Sequence, residues 1–90
     1  MSGVASTLRE RLAALDPVVL EIHDDSEEHA GHAGAAGGAG HFSVLIVSQA
    51  FAGLSRLKRH AEVYRRVADL LPHPVHALAI KALAPEEFPS

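Results

Sequence analysis

Seven histidines and no cysteine occur in 90 residues, and three of those histidines, His29, His32 and His41, sit in or beside one glycine-rich stretch. Imidazole is the commonest metal ligand and the one side chain whose ordinary titration falls near neutrality. With thiols absent, no disulfide and no self-contained thiolate site can form. A histidine-bearing loop of this kind points to metal or cluster binding in which a partner supplies any sulfur. The plain alternative, solvated polar side chains in a loop, stands beside it on spacing alone.

A second group of residues carries charge rather than ligands. Arg56, Lys58, Arg59, Arg65 and Arg66 lie close together against one acid, Glu62, although the chain as a whole carries a net charge of −3. Such a segment meets nucleic acid or an acidic protein face, or is the solvated side of a helix. Asp24, Asp25, Glu27 and Glu28 form an acidic approach to the histidine loop. Serines, histidines and acids make no arrangement that argues for a nucleophile. Gly31, Gly34, Gly37, Gly38 and Gly40 lie between strands rather than ahead of a helix, so they do not cradle phosphate. An enzyme is the weaker class.

The elements that position these groups follow from periodicity. Val4, Leu8, Leu12 and Leu15 recur at helical spacing, ended by Asp16-Pro17. Thr7 and Glu10 form a capping box if the helix begins there, and the other start is near Ser2. Val18 to Asp24 alternates, with Val18, Leu20 and Ile22 on the buried side and Glu21 and His23 on the other. The Gly/Ala-rich segment 25–40 has nothing large to bury and much backbone entropy to lose, so it reads as a flexible loop. Loops of that length in a small domain are functional or disordered.

His41 to Ser48 is the second strand, with Phe42, Val44 and Ile46 toward the core and Leu45 and Val47 on the opposite side. Leu54, Leu57, Ala61, Tyr64, Val67, Ala68 and Leu71 then recur at helical intervals up to Pro72, read as a short helix and a longer one joined near His60. Ser48 reads as a strand end and Ser55 as a helix cap. The third strand, Val75 to Leu83, places His76, Leu78 and Ile80 on the helix side and Ala77, Ala79 and Lys81 on the other. Pro85-Glu86-Glu87 opens a short terminal helix.

The result is one domain, residues 1–90, of α/β (α+β) class in the order αββααβα. Its three-stranded mixed sheet carries the helices on one face. Parallel pairing of the second and third strands starts both at one edge, which brings His41 and His76 together. The loop can carry His29 toward the same place. Neither His29 with His76 nor His41 with His76 completes a four-ligand zinc site. Asp25 or a ligand from another chain must add to either pair. His23, His60 and His73 have sufficient structural or solvent readings. No run approaches the ~20 apolar residues of a membrane span. The start of the chain lacks the pattern of a secretory signal, so a cytoplasmic location is expected.

The chain resembles the BolA family. The resemblance is carried by Leu20-Glu21-Ile22 with Asp25-Ser26, by His41-Phe42-Ser43-Val44-Leu45-Ile46-Val47-Ser48, and by Phe51-Ala52-Gly53-Leu54-Ser55. It continues through Arg59-His60 with Val63-Tyr64, Val75-His76-Ala77-Leu78 and Ala84-Pro85-Glu86-Glu87. It implies a fold similar to the class II KH domain. It also implies a non-enzymatic role in which a monothiol glutaredoxin partner and glutathione give thiolates to a shared [2Fe-2S] cluster. The BolA-like side would give His76 and a ligand from the loop between the first two strands. His29 matches that loop position best, with His41 as the fallback and His32 open. The second implied role is DNA-binding transcriptional regulation through Arg56, Lys58, Arg59, Arg65 and Arg66. The Gly-x-x-Gly loop of KH domains is missing, which counts against their usual mode of RNA binding. The free chain is expected to be a monomer or weak homodimer with no membrane partner.

Overall fold

Phe42, Val44 and Ile46 alternate with less buried neighbours, and a period of two places all three on one face of a strand. The computed structural model describes residues 3–25 and 40–89. Within it these three side chains are buried at the centre of the core. Their strand, β2 (Gly40–Val47), is the middle of a three-stranded sheet. On one side β1 (Val19–Asp24) pairs antiparallel, with Val19 opposite Val47 and Asp24 opposite Phe42. On the other, β3 (Val75–Leu83) pairs parallel. The mixed sheet and the α+β class are therefore those expected.

Helix α1 (Gly3–Leu12) buries Leu8 and Leu12 and passes into a 3-10 turn, Ala13–Leu15, that buries Leu15. Asp16 then takes a left-handed conformation (φ 53°) and Pro17 follows, so the helix ends where the sequence says. Its start is the earlier of the two alternatives. Thr7 is inside the helix, and its hydroxyl donates to the Gly3 carbonyl at 2.8 Å rather than capping.

Between β2 and β3 the chain makes a 3-10 turn, Gln49–Phe51, then helix α2 (Arg56–Val67) and a further 3-10 turn, Ala68–Leu70. The junction expected near His60 is absent. The break lies earlier, at Gly53 (φ 79°), and Ser55 starts α2 by accepting from the Lys58 amide at 3.2 Å. With neither glycine nor proline from 56 to 67, nothing interrupts the helix. The terminal helix is likewise one 3-10 turn, Pro85–Glu87.

The buried face of α2 differs from the expected stripe. Val67 is buried as expected, but Val63, which the stripe omits, also points into the core, whereas Leu57 is 80% exposed. Arg59 explains the change of phase. It stands one turn before Val63, and its side chain is only 12% exposed, so a long aliphatic stem takes the inward position. Phe51, Leu70, Val75, Leu78 and Ala82 complete the same cluster.

Two further departures lie near the start of β1. Val18 precedes the strand and is exposed, and Val47, expected on the open face, is fully buried. The passage from α1 to β1 lies against this end of β2. The Val18 amide donates to the Val47 carbonyl at 2.8 Å, and the Ser48 hydroxyl donates to the Leu15 carbonyl. Glu21, His23 and Lys81, read on the open face, are exposed. Among the described residues no helix is long and apolar enough to cross a membrane.

Candidate functional site

The site is built where β2 and β3 begin. Gly40 opens β2, and its amide donates to the Pro74 carbonyl at 3.0 Å. A Cβ at Gly40 would lie 2.4 Å from Phe42 Cε1 and 3.1 Å from the Pro74 oxygen, so only glycine permits the approach. The register then slips. Gly40 faces Val75 but His41 faces Ala77, which leaves His76 as the extra residue of a β-bulge.

This bulge corrects the orientation expected for His76. An unbroken strand would place His76 with Leu78 and Ile80 toward the helices. One added residue reverses the alternation, so Val75 and Leu78 are both buried while His76 and Ala77 are exposed. His41, on the open face of β2, consequently meets His76. Their ring centroids are 5.3 Å apart with an interplanar angle of 55°. The predicted meeting of these two histidines holds, on the opposite side of the sheet from the helices.

Asp25, the residue after β1, lies at the same corner. Its amide donates to the His41 carbonyl at 2.7 Å, and its carboxylate accepts from the Ser43 hydroxyl. Asp25, His41 and Ser43 border a shallow hollow of about 320 Å³, kept open by the small side chains of Ala77 and Ala79. The chain thus leaves the described structure at Asp25 and returns at Gly40, both beside the histidine pair. His29 and His32 lie outside the described residues. Among the described residues no three of His, Cys, Asp and Glu gather in a way that could hold a metal ion. The corner therefore offers two imidazoles and requires other donors for a complete site.

The basic candidates separate by what binds them. Arg56 and Lys58 are exposed at the start of α2. Arg59 is engaged on every side. It donates to the Leu54 carbonyl at 2.9 Å, to the Ala82 carbonyl at 3.0 Å, and to both carboxylate oxygens of Glu87 at 2.6 and 3.0 Å. That bidentate bond, together with the Ala84 amide, pulls the Glu87 carboxyl down to about 2, and Glu87 in turn raises the Arg59 value. Arg65 pairs with Glu62 at 2.7 Å, and Arg66 is half-buried. Five cations in sequence reduce to two that stand exposed and unpaired among the described residues.

His23 is exposed on β1 across from Ser43, and His73 is exposed before β3. His60 is half-buried and lines a second groove, of about 480 Å³, between the start of α2 and the end of β3. Neither this groove nor the bulge is evident from periodicity. The spacing of Arg59, Val63 and Val67, four apart each time, carried the only signal of the inward arginine.

Comparison with known proteins gives a consistent picture. The family model for BolA-like protein matches residues 12–87. SufE-like protein 1, chloroplastic/mitochondrial, of Arabidopsis thaliana is 48% identical over 86 residues, covering 89% of this chain and 23% of that protein. The DNA-binding transcriptional regulator BolA of Escherichia coli (strain K12) is 38% identical over 86 residues, covering 90% of this chain and 79% of that one. The solved structure of BolA1 from Arabidopsis thaliana superposes with a TM-score of 0.83 at 39% identity, covering 99% of this chain and 100% of that one. Several relatives are longer: the chain spans 56% of protein BOLA1, chloroplastic, of Arabidopsis thaliana and 61% of BolA-like protein 1 of Homo sapiens.

Proposed function

The chain belongs to the BolA-like protein family, and from that premise we propose that it is a non-enzymatic iron–sulfur accessory protein. It binds a monothiol glutaredoxin and shares a [2Fe-2S] cluster with it for cluster transfer and iron homeostasis. The observation that carries this reading is the His41–His76 pair, 5.3 Å between ring centroids, at an open corner of a protein with no thiol of its own.

The donor set suits such a group. Two imidazoles side by side can offer nitrogens to one iron, while thiolates for the rest come from glutaredoxin and glutathione. His76 is the fixed ligand, held by a bulge whose neighbours Val75 and Leu78 are anchored in the core. The second ligand is His29, and His41 is the alternative. His29 is four residues from Asp25, so extended chain lets it reach at most about 14 Å from that anchor. The Asp25 amide bond to His41 and the Gly40 bond to Pro74 hold both ends of the loop beside His76. When bound, the cluster supplies a redox-active iron pair whose potential is raised by histidine ligation relative to thiolate alone.

The proposed compartment is the cytoplasm, while relatives named chloroplastic or mitochondrial place the same fold in organelles. Visible circular dichroism tests the ligand reading. The protein is mixed with cluster-loaded glutaredoxin, and wild type is compared with His76→Ala, His29→Ala and His41→Ala. Wild type should change the spectrum, His76→Ala should abolish that change, and one of the other two should do the same. No change on mixing, or a wild-type response from all three variants, refutes the assignment.

Transcriptional regulation is the second reading. It is favoured by the name of the Escherichia coli relative and by Arg56 and Lys58, both exposed at the start of α2. Phosphate contacts would make binding fall steeply with salt. A gel shift across a salt series, with Arg56→Ala plus Lys58→Ala beside wild type, tests it. Binding indifferent to both changes removes the helix surface from consideration.

A further inference from the structure

We propose that the groove between the start of α2 and the free edge of β3 takes a short, extended acidic peptide of a partner protein, which adds to the sheet at Ile80. β3 is an edge strand, with β2 on one side only. Successive residues of a strand turn their main-chain groups to opposite sides. The Leu83 carbonyl accepts from the Ser48 amide, which turns the odd-numbered residues here toward β2 and the even-numbered ones outward.

Three outward carbonyls follow, at Leu78, Ile80 and Ala82, and side chains of α2 occupy two of them. The Tyr64 hydroxyl donates to Leu78 at 3.2 Å and the Arg59 guanidinium donates to Ala82 at 3.0 Å. The amide and carbonyl of Ile80 lie between these two caps and face the groove. An unpaired strand edge accepts an extended chain through just such groups.

Charge selects the kind of chain. Arg56 and Lys81 line the groove, and neither cation makes an ion pair among the described residues. The acid that also lines it, Glu87, is bound by Arg59. The apolar floor from Leu54, Ile80 and Leu83 suits alternate aliphatic side chains. A nucleic-acid backbone would satisfy the cations but has no amide and carbonyl to offer Ile80. Ile80 lies about 13 Å along the strand from His76. The site is therefore independent of the cluster reading.

The test is an NMR titration of ¹⁵N-labelled, cluster-free protein with a capped peptide of alternating glutamate and valine. A second peptide of the same sequence is N-methylated at every amide, so that neither of its edges can donate to a strand. Saturable shifts centred on the Ile80 and Lys81 amides are expected. Binding should weaken at least tenfold with the N-methylated peptide, and again with Arg56→Glu plus Lys81→Glu, both exposed positions whose folding is checked by thermal denaturation. Equal binding of the two peptides refutes the strand addition without any variant. So do the same shifts produced by inorganic phosphate, or full binding by the double variant.

Discussion

Gly40 donates its amide to the Pro74 carbonyl at 3.0 Å, and the space a Cβ would need there is already filled by that oxygen and the Phe42 ring. The contact fixes the point at which the two parallel strands start, one residue ahead of the slip that frees His76. Gly40→Ala must push either Phe42 or the Pro74 turn aside. A loss of about 1–3 kcal/mol is expected, the usual cost of an overpacked site. Urea unfolding measures it, and the His41 and His76 ring resonances should move in the same variant. An unchanged midpoint with unchanged ring resonances would show that the approach is not tight.

Glu87 predicts acid sensitivity of a definite sign. Its carboxyl is held at about 2 by Arg59 and the Ala84 amide, below the ordinary 4.5. Between those values the unfolded chain binds a proton that the folded one does not, so stability falls as pH falls from about 4.5 toward 2. Above that window the contribution is complete. Glu87→Gln should lose stability at neutral pH and show a flatter acid limb, because the proton linkage is gone. Denaturant midpoints at pH 7, 4 and 3 check this; parallel acid limbs for variant and wild type would refute it.

The phase of α2 gives a paired prediction. Val63 is fully buried and Leu57 is 80% exposed. Val63→Ala should cost about 1.5–3 kcal/mol from lost burial and the cavity left behind. Leu57→Ala should stay within about 0.5 kcal/mol of wild type. The sequence-only stripe through Leu57 and Tyr64 demands the reverse ranking, so the two unfolding curves decide between them.

That helix shows where the sequence could be read and where it could not. Phe42, Val44 and Ile46 announce β2 because burial on one face leaves a pattern of period two. The Asp16-Pro17 stop announces itself because it acts through neighbouring backbone atoms. Arg59 does not, since an arginine is polar by type, and its inward position depends on Glu87 and two carbonyls far along the chain. The bulge at His76 is hidden for a related reason. One unpaired residue changes no composition, yet it reverses which face every preceding side chain takes. The meeting of His41 and His76 was legible from parallel pairing alone, and the face on which they meet was not.

The ligand reading makes a prediction about potential that folding alone could not mimic. His76 stands exposed at the bulge, so His76→Cys leaves the core contacts of Val75 and Leu78 in place. In the complex with glutaredoxin it would exchange a neutral imidazole for a thiolate, adding negative charge beside the iron. Charge of that sign favours the oxidised cluster, so the midpoint potential should fall, on the order of 100 mV or more given the range separating histidine-ligated from all-cysteine centres. A redox titration of the shared cluster followed by visible absorption measures it. His23→Cys, on β1 of the same open face, adds a thiol without the proposed contact and should leave the potential where it is. A potential that ignores His76→Cys, or one that follows His23→Cys equally, would remove His76 from the iron.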